Sequence, residues 1–238
     1  MQSLLRLAFP PQCVGCHALV ERDFALCGAC WRNTPFITGL ICDTCGVALP
    51  GDSPDHIERC DDCMTIARPW ARGRAALAYR DKARTLVLAL KHGDRLDLVR
   101  PAAQWMANVA GDVLRKETLI LPVPVHRLRL LQRRYNQAAL LSNALSRITG
   151  SQTLPDLLYR IRRTKVQDGM SRDERFANLS DAIRAHPKSA SRLEGRHILL
   201  VDDVMTSGAT LAAATEACHM AGAGEVDILV LARVAKDA

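Results

Sequence analysis

Eight of the nine cysteines in this chain fall before position 64, as four C-x-x-C pairs: Cys13 with Cys16, Cys27 with Cys30, Cys42 with Cys45, and Cys60 with Cys63. A segment so short has little apolar mass from which to build a core, so its order must come from cross-links or from metal. Four such pairs supply two tetrahedral four-thiolate zinc sites, each pair spanning one edge of a tetrahedron. Gly15, Gly28 and Gly46 beside the ligands suit tight knuckle turns. A disulfide framework would need an oxidising compartment, and the apolar run within residues 1–10 is too short for a secretory signal. An iron–sulfur cluster is disfavoured because the paired knuckles already satisfy two tetrahedral sites. Sequential pairing is expected, with the first four cysteines on one metal and the second four on the other; spacing alone leaves a crossed pairing open. With every position filled by sulfur, both zincs would be structural. His17 and His56 read as exposed neighbours of the knuckles, and Cys218, on an apolar helix, as a buried small hydrophobe.

Near Pro69 the composition shifts from cysteine-rich to aliphatic, which divides the chain into a zinc-ribbon module over residues 1–70 and an α/β domain over residues 71–238. Strands are expected at residues 75–79, 118–125, 157–161, 197–201 and 227–234, and helices at 81–91, 97–115, 137–147 and 211–217. No apolar run approaches the roughly 18 residues of a membrane span, so a cytoplasmic protein is expected.

The densest chemistry lies in residues 199–210, which read Leu-Leu-Val-Asp-Asp-Val-Met-Thr-Ser-Gly-Ala-Thr. A buried strand leads through two acids into a small hydroxylic loop and then an alanine-rich helix. Loop amides and a helix N-terminus present free N–H donors and partial positive charge, suited to a phosphate. Thr206, Ser207 and Thr210 can each donate a hydroxyl hydrogen, Gly208 allows close backbone approach, and Asp202 and Asp203 suit ribose hydroxyls or a hydrated divalent cation. A simple capped helix needs one hydroxyl, and this loop carries three plus paired acids. The loop has no lysine and no G-x-x-x-x-G-K-[ST] or G-x-G-x-x-G spacing, which argues against Walker and dinucleotide sites. The expected ligand is a ribose 5-phosphate.

This run resembles the phosphoribosyl pyrophosphate (PRPP) motif of type I phosphoribosyltransferases. Further segments narrow the resemblance: Pro122-Val123-Pro124 leading to Arg133-Arg134-Tyr135-Asn136-Gln137, then Arg163-x-Lys165-x-Gln167, then Ser171-Arg172-x-Glu174-Arg175-x-x-Asn178. With the leading zinc knuckles, nearly the whole chain is similar to the ComF family of competence-associated phosphoribosyltransferase-like proteins. Arg134 stands where that family usually has glycine.

The resemblance implies a type I phosphoribosyltransferase fold, a parallel open sheet flanked by helices, behind a small four-cysteine zinc-ribbon module. It implies PRPP contacts from Asp202, Asp203, Val204, Met205, Thr206, Ser207, Gly208, Ala209 and Thr210, with Lys91, Arg133 and Arg134 on the pyrophosphate, and magnesium accompanying the ligand. Asp202 and Asp203 are the implied catalytic pair, and residues 163–178 are in part an implied lid. Little chain follows Val234 to build a hood for a base, so the zinc module is expected to take that place. Two function classes follow: a phosphoribosyltransferase with an unidentified acceptor, or a non-catalytic PRPP-binding protein that holds single-stranded DNA and acts with the DNA-uptake machinery. The net charge of +7 favours a polyanionic partner without choosing between them.

Overall fold

The computed structural model describes residues 9–51, 57–126, 130, 135–162, 170–179 and 181–235. In chain order its elements begin with the short helices α1 (Gly28–Arg32) and α2 (Asp61–Thr65), then β1 (Gly73–Ala78), α3 (Asp81–His92), α4 (Val99–Val109) and β2 (Leu119–Pro122). They continue with α5 (Gln137–Thr149), β3 (Gln152–Thr153), β4 (Leu158–Arg160), α6 (Arg172–Leu179), β5 (Ile183–Ala185), β6 (Ile198–Met205), α7 (Ala209–Met220) and β7 (Val226–Arg233).

Alternation along the strands sets the layers. Ile198 and Leu200 of β6 face one core while Leu199 and Val201 face the other; Ile228 and Val230 of β7 likewise oppose Leu229 and Leu231. Strands apolar on both faces belong inside a parallel sheet. They form a five-stranded sheet, ordered β1-β7-β6-β2-β3, with every pairing parallel. Helices α3, α4 and α5 cover one face through Leu86, Leu90, Met106 and Leu141. The other face is covered by α7, whose Ala212, Ala214 and Ala217 allow close approach. This is the type I phosphoribosyltransferase fold. Its middle strand is β6, so the acid-rich run emerges at the centre of the sheet's carboxyl edge.

The expected strand ending at Val201 instead continues to Met205, because Asp202, Val204 and Met205 pair with Val230, Ala232 and Arg233 of β7. Both acids therefore ride on a hydrogen-bonded strand. The helix expected over 97–115 stops at Val109, and the carboxylate of Asp112 beyond it pairs with Arg74. The 157–161 segment leaves the main sheet: β4 pairs antiparallel with β5, and α6 lies between them in the chain.

The cysteine-rich segment joins this architecture directly. Cys42, Cys45, Cys63 and Ile37 share a core with Leu200, Ile228 and Leu211. Residues 35–37 run along the free edge of β1, where Ile37 N donates to Ala76 O at 3.0 Å and Ala78 N to Pro35 O at 2.9 Å, covering an otherwise open ladder. Arg74, buried, donates to Asp43 O and to its carboxylate at 2.9 and 2.7 Å. Among the described residues, no helix is long and apolar enough to cross a membrane.

Candidate functional site

Two sulfur clusters form in the N-terminal segment: Cys13, Cys16, Cys27 and Cys30 in one, and Cys42, Cys45, Cys60 and Cys63 in the other, each with its four Sγ atoms within 4.8 Å of one another. Both are built alike. The first pair of each lies in a small hairpin, bridged Gln12 to Leu19 or Ile41 to Ala48, and the second pair opens a short helix, α1 or α2. Zinc suits both. A Zn–S bond near 2.3 Å sets tetrahedral S···S edges of about 3.8 Å, and Cys16 to Cys27 measures 3.6 Å and Cys45 to Cys60 3.7 Å. All nine cysteines are free thiols. Packed this closely, the thiols drive one another's ionisation apart. Hydrogen bonds from Cys45 and Cys63 hold Cys42 far below the usual thiol range, while Cys42 and Cys45 push Cys63 far above it. In the first cluster burial opposes ionisation of Cys13, yet the amides of Cys27, Gly15 and Cys16 bring it down to about 6. Burial is the main cause that pushes Cys30 up to about 12. A dication relieves that conflict by accepting four thiolates, and these closed donor sets are structural. The second cluster is the more deeply set, with Cys42 and Cys45 fully buried, whereas Cys16 is exposed.

At the carboxyl edge of the sheet lies a cleft of about 360 Å³. Its floor is Asp202 and Asp203. Asp202 Oδ1 accepts the Asp203 amide at 2.8 Å, and Lys91 Nζ lies 3.1 Å from Asp203 Oδ1. Burial, then the neighbouring Asp203 charge, raise the Asp202 carboxyl to about 7, against the opposing pull of Lys91. Lys91 sits in the last turn of α3, and Tyr135 and Gln137 fix that end, with Asn136 between them tied to β2's exit and to α5. Tyr135 Oη donates to Asp94 Oδ1 at 3.1 Å, Gln137 Nε2 to Lys91 O at 3.3 Å, and Asn136 Nδ2 to Val123 O at 3.1 Å while its Oδ1 caps α5. Thr206, Thr210 and Val204 line the cleft's near wall.

The loop itself wraps a second, smaller cavity of about 50 Å³, bounded by Asp202, Thr206, Gly208, Ala209 and Thr210. Gly208 has φ +82, and a Cβ there would stand within 2.8 Å of Met205 Cε and 3.0 Å of both Arg68 and Trp70, so no other residue fits without strain. Met205 is buried and Ala209 begins α7. The Ser207 hydroxyl accepts from Ala209 N at 3.4 Å, helping to cap α7. Arg133 and Arg134 lie outside the described residues, as do Arg163, Lys165 and Gln167.

Two contributors, Arg160 and Arg233, were not singled out from the sequence. Arg160, on β4, lines the cleft opposite Lys91 and donates Nε–H to Pro124 O at 2.8 Å. Arg233 ends β7 and donates to Thr206 O at 2.8 Å, fastening the loop from beneath; an arginine closing an apolar strand was the clue available. The expected hood differs from the structure: no described residue lining either cavity comes from the cysteine-rich segment, and β4 supplies the wall instead. Of the segment expected to be in part a lid, residues 163–169 lie outside the described residues. Over Arg172–Leu179 the segment is a helix opened by a Ser171–Glu174 capping box and packed on α7 through Phe176 and Leu179.

The sequence of the chain matches two known domain families. The phosphoribosyl transferase domain family matches residues 101–238, and the double zinc ribbon domain family residues 4–64. The chain belongs to the phosphoribosyl transferase domain family. This phosphoribosyl transferase domain protein is 27% identical over 228 residues to Competence protein F of Haemophilus influenzae, covering 93% of this chain and 96% of that one. It is 29% identical over 233 residues to the DNA utilization protein YhgH of Escherichia coli, covering 95% and 99%. Competence protein ComFC of Bacillus subtilis is 27% identical over 201 residues, covering 81% of this chain and 77% of that protein.

Proposed function

We propose that the cleft binds PRPP with magnesium and transfers its phosphoribosyl group to a nitrogen nucleophile. One observation carries this reading: a phosphate-sized cavity wrapped by the Thr206–Thr210 loop adjoins a larger cleft floored by Asp202 and Asp203 and flanked by Lys91 and Arg160. The loop would hold the 5-phosphate with backbone N–H groups and the Thr206 and Thr210 hydroxyls. Asp202 and Asp203 would hold the ribose hydroxyls and the hydration shell of the metal. Magnesium, when bound, supplies charge neutralisation on the diphosphate. Lys91 and Arg160 would stabilise the departing pyrophosphate as the sugar gains oxocarbenium character, Lys91 exchanging its bond to Asp203 for one to the leaving group. Calorimetry with PRPP and magnesium tests the ligand: wild type should bind and the Asp202→Asn/Asp203→Asn double variant should bind weakly, and equal affinity would remove the assignment. Pyrophosphate release with a panel of bases and amines tests the transfer.

A second reading, that the protein binds single-stranded DNA in response to PRPP during DNA uptake, draws on the first ribbon. Trp31 there is 54% exposed beside Arg32, and Phe24 is 39% exposed with the Arg100 guanidinium 5.0 Å from its ring. Exposed rings among cations offer stacking for unpaired bases. The relatives' names, a competence protein and a DNA utilization protein, support the same context. Single-strand affinity that falls steeply with salt and drops in Trp31→Ala would favour it, and a flat salt response would count against it.

A further inference from the structure

Arg68 and Trp70 stand between the second four-cysteine cluster and the loop, outside both cavities. Trp70 is 3% exposed and donates Nε1–H at 2.6 Å to the carbonyl of Thr44, which lies between Cys42 and Cys45. The edge of its ring reaches to 3.0 Å from the place a Gly208 Cβ would occupy. The Arg68 guanidinium lies 5.3 Å from the Trp70 ring centroid and donates Nη1–H to Ser207 O at 2.7 Å. A continuous strut therefore runs from the Cys42–Cys45 knuckle through Thr44, Trp70 and Arg68 to the loop. Its base is rigid: the knuckle is buried, Gly73 N donates to Asp43 O at 2.8 Å, and Arg74 grips Asp43 from the sheet.

The strut acts on one peptide group. In a trans peptide the carbonyl of one residue and the N–H of the next point in opposite directions. The bond that draws Ser207 O toward Arg68 turns the Gly208 N–H to the other side, where Gly208 borders the small cavity. Glycine at φ +82 has little intrinsic preference to hold that orientation, so an external contact must supply it.

We propose that Arg68 is a positioning residue that fixes the Ser207–Gly208 peptide with its N–H toward the bound phosphate, and that the second four-cysteine site holds Arg68 there through Thr44 and Trp70. The proposal rests on the PRPP reading for its ligand, but the orientation of the peptide can be measured without one. The test is hydrogen–deuterium exchange of residues 204–210 in full-length, zinc-loaded wild type, Arg68→Ala, Arg68→Lys and Trp70→Phe, followed by PRPP calorimetry on the same proteins. Loop exchange should accelerate in Arg68→Ala with zinc content unchanged, and PRPP affinity should fall about tenfold, the worth of one charged hydrogen bond. Arg68→Lys, which keeps a donor, should recover part of both, and Trp70→Phe, which keeps the ring but loses the bond to Thr44, should fall between. Unchanged loop exchange in Arg68→Ala overturns the proposal; should that variant not fold, unchanged exchange in Trp70→Phe does so. Faster exchange in the variants of a protein whose wild type ignores PRPP would sink the ligand reading and leave the strut standing.

Discussion

Lys91 Nζ lies 3.1 Å from Asp203 Oδ1, so the one lysine among the described residues of the cleft wall is held against the acid on its floor. On the proposed PRPP reading, an incoming diphosphate would draw Lys91 away and release Asp203 for the sugar or the metal shell.

Lys91→Ala should therefore weaken pyrophosphate and PRPP binding about tenfold, the scale of one charged hydrogen bond. Melting should change little, because Lys91 is partly exposed and the α3 end is held separately by Tyr135 and Gln137. Calorimetry with pyrophosphate and magnesium reads the first effect and a thermal melt the second.

Asp202 should make stability fall as pH rises. Its folded carboxyl titrates at about 7, above the 3.8 of an unfolded aspartate, so the folded state holds the extra proton between those values. The destabilisation is absent below the unfolded value and complete above the folded one. Asp202→Asn should thus raise the melting temperature of the ligand-free protein by a few degrees at pH 8 and have almost no effect near pH 4. A uniform shift at both pH values would contradict the buried-acid account.

The two zinc sites should fail differently. Metal analysis should find about two zinc ions per chain. Cys16→Ser, on the exposed first cluster, should release one and leave the main melting transition in place. Cys42→Ser removes a ligand that belongs to the sheet's own core and should broaden or abolish that transition. Elemental analysis paired with calorimetric melting distinguishes the two.

Gly208→Ala places a Cβ against Met205, Arg68 and Trp70 in a left-handed conformation, which costs about 1–3 kcal/mol. PRPP affinity should fall with stability, since relief of the clash moves the amide that borders the phosphate cavity. Unaltered affinity with lowered stability would place that amide outside the binding site.

Much of this site was legible along the chain because its signals are local. Short continuous apolar runs announced buried strands, C-x-x-C spacing announced the four-sulfur clusters, and the order strand, acids, hydroxyls, helix announced the unit joining β6 to α7. The failures also have local causes. Strand β6 ran four residues past its expected end because its neighbour β7 offered a ladder, and no pattern within β6 reports the length of a partner strand. The missing cleft wall was sought in the zinc module because nothing within the strand expected over 157–161 reports that it leaves the main sheet as β4 and pairs with β5 instead.

Residue types and spacings by themselves set the expected ligand chemistry: sulfur for metal, and acids and hydroxyls for a sugar phosphate. Tertiary structure alone decided how those groups are held. Arg68 reaches Ser207 across 139 positions, Arg233 reaches Thr206 across 27, and Arg160 closes the cleft from a strand outside the main sheet. Such contacts join groups whose separation along the chain carries no periodicity, so only the packing of the sheet, the ribbon and α7 brings them together.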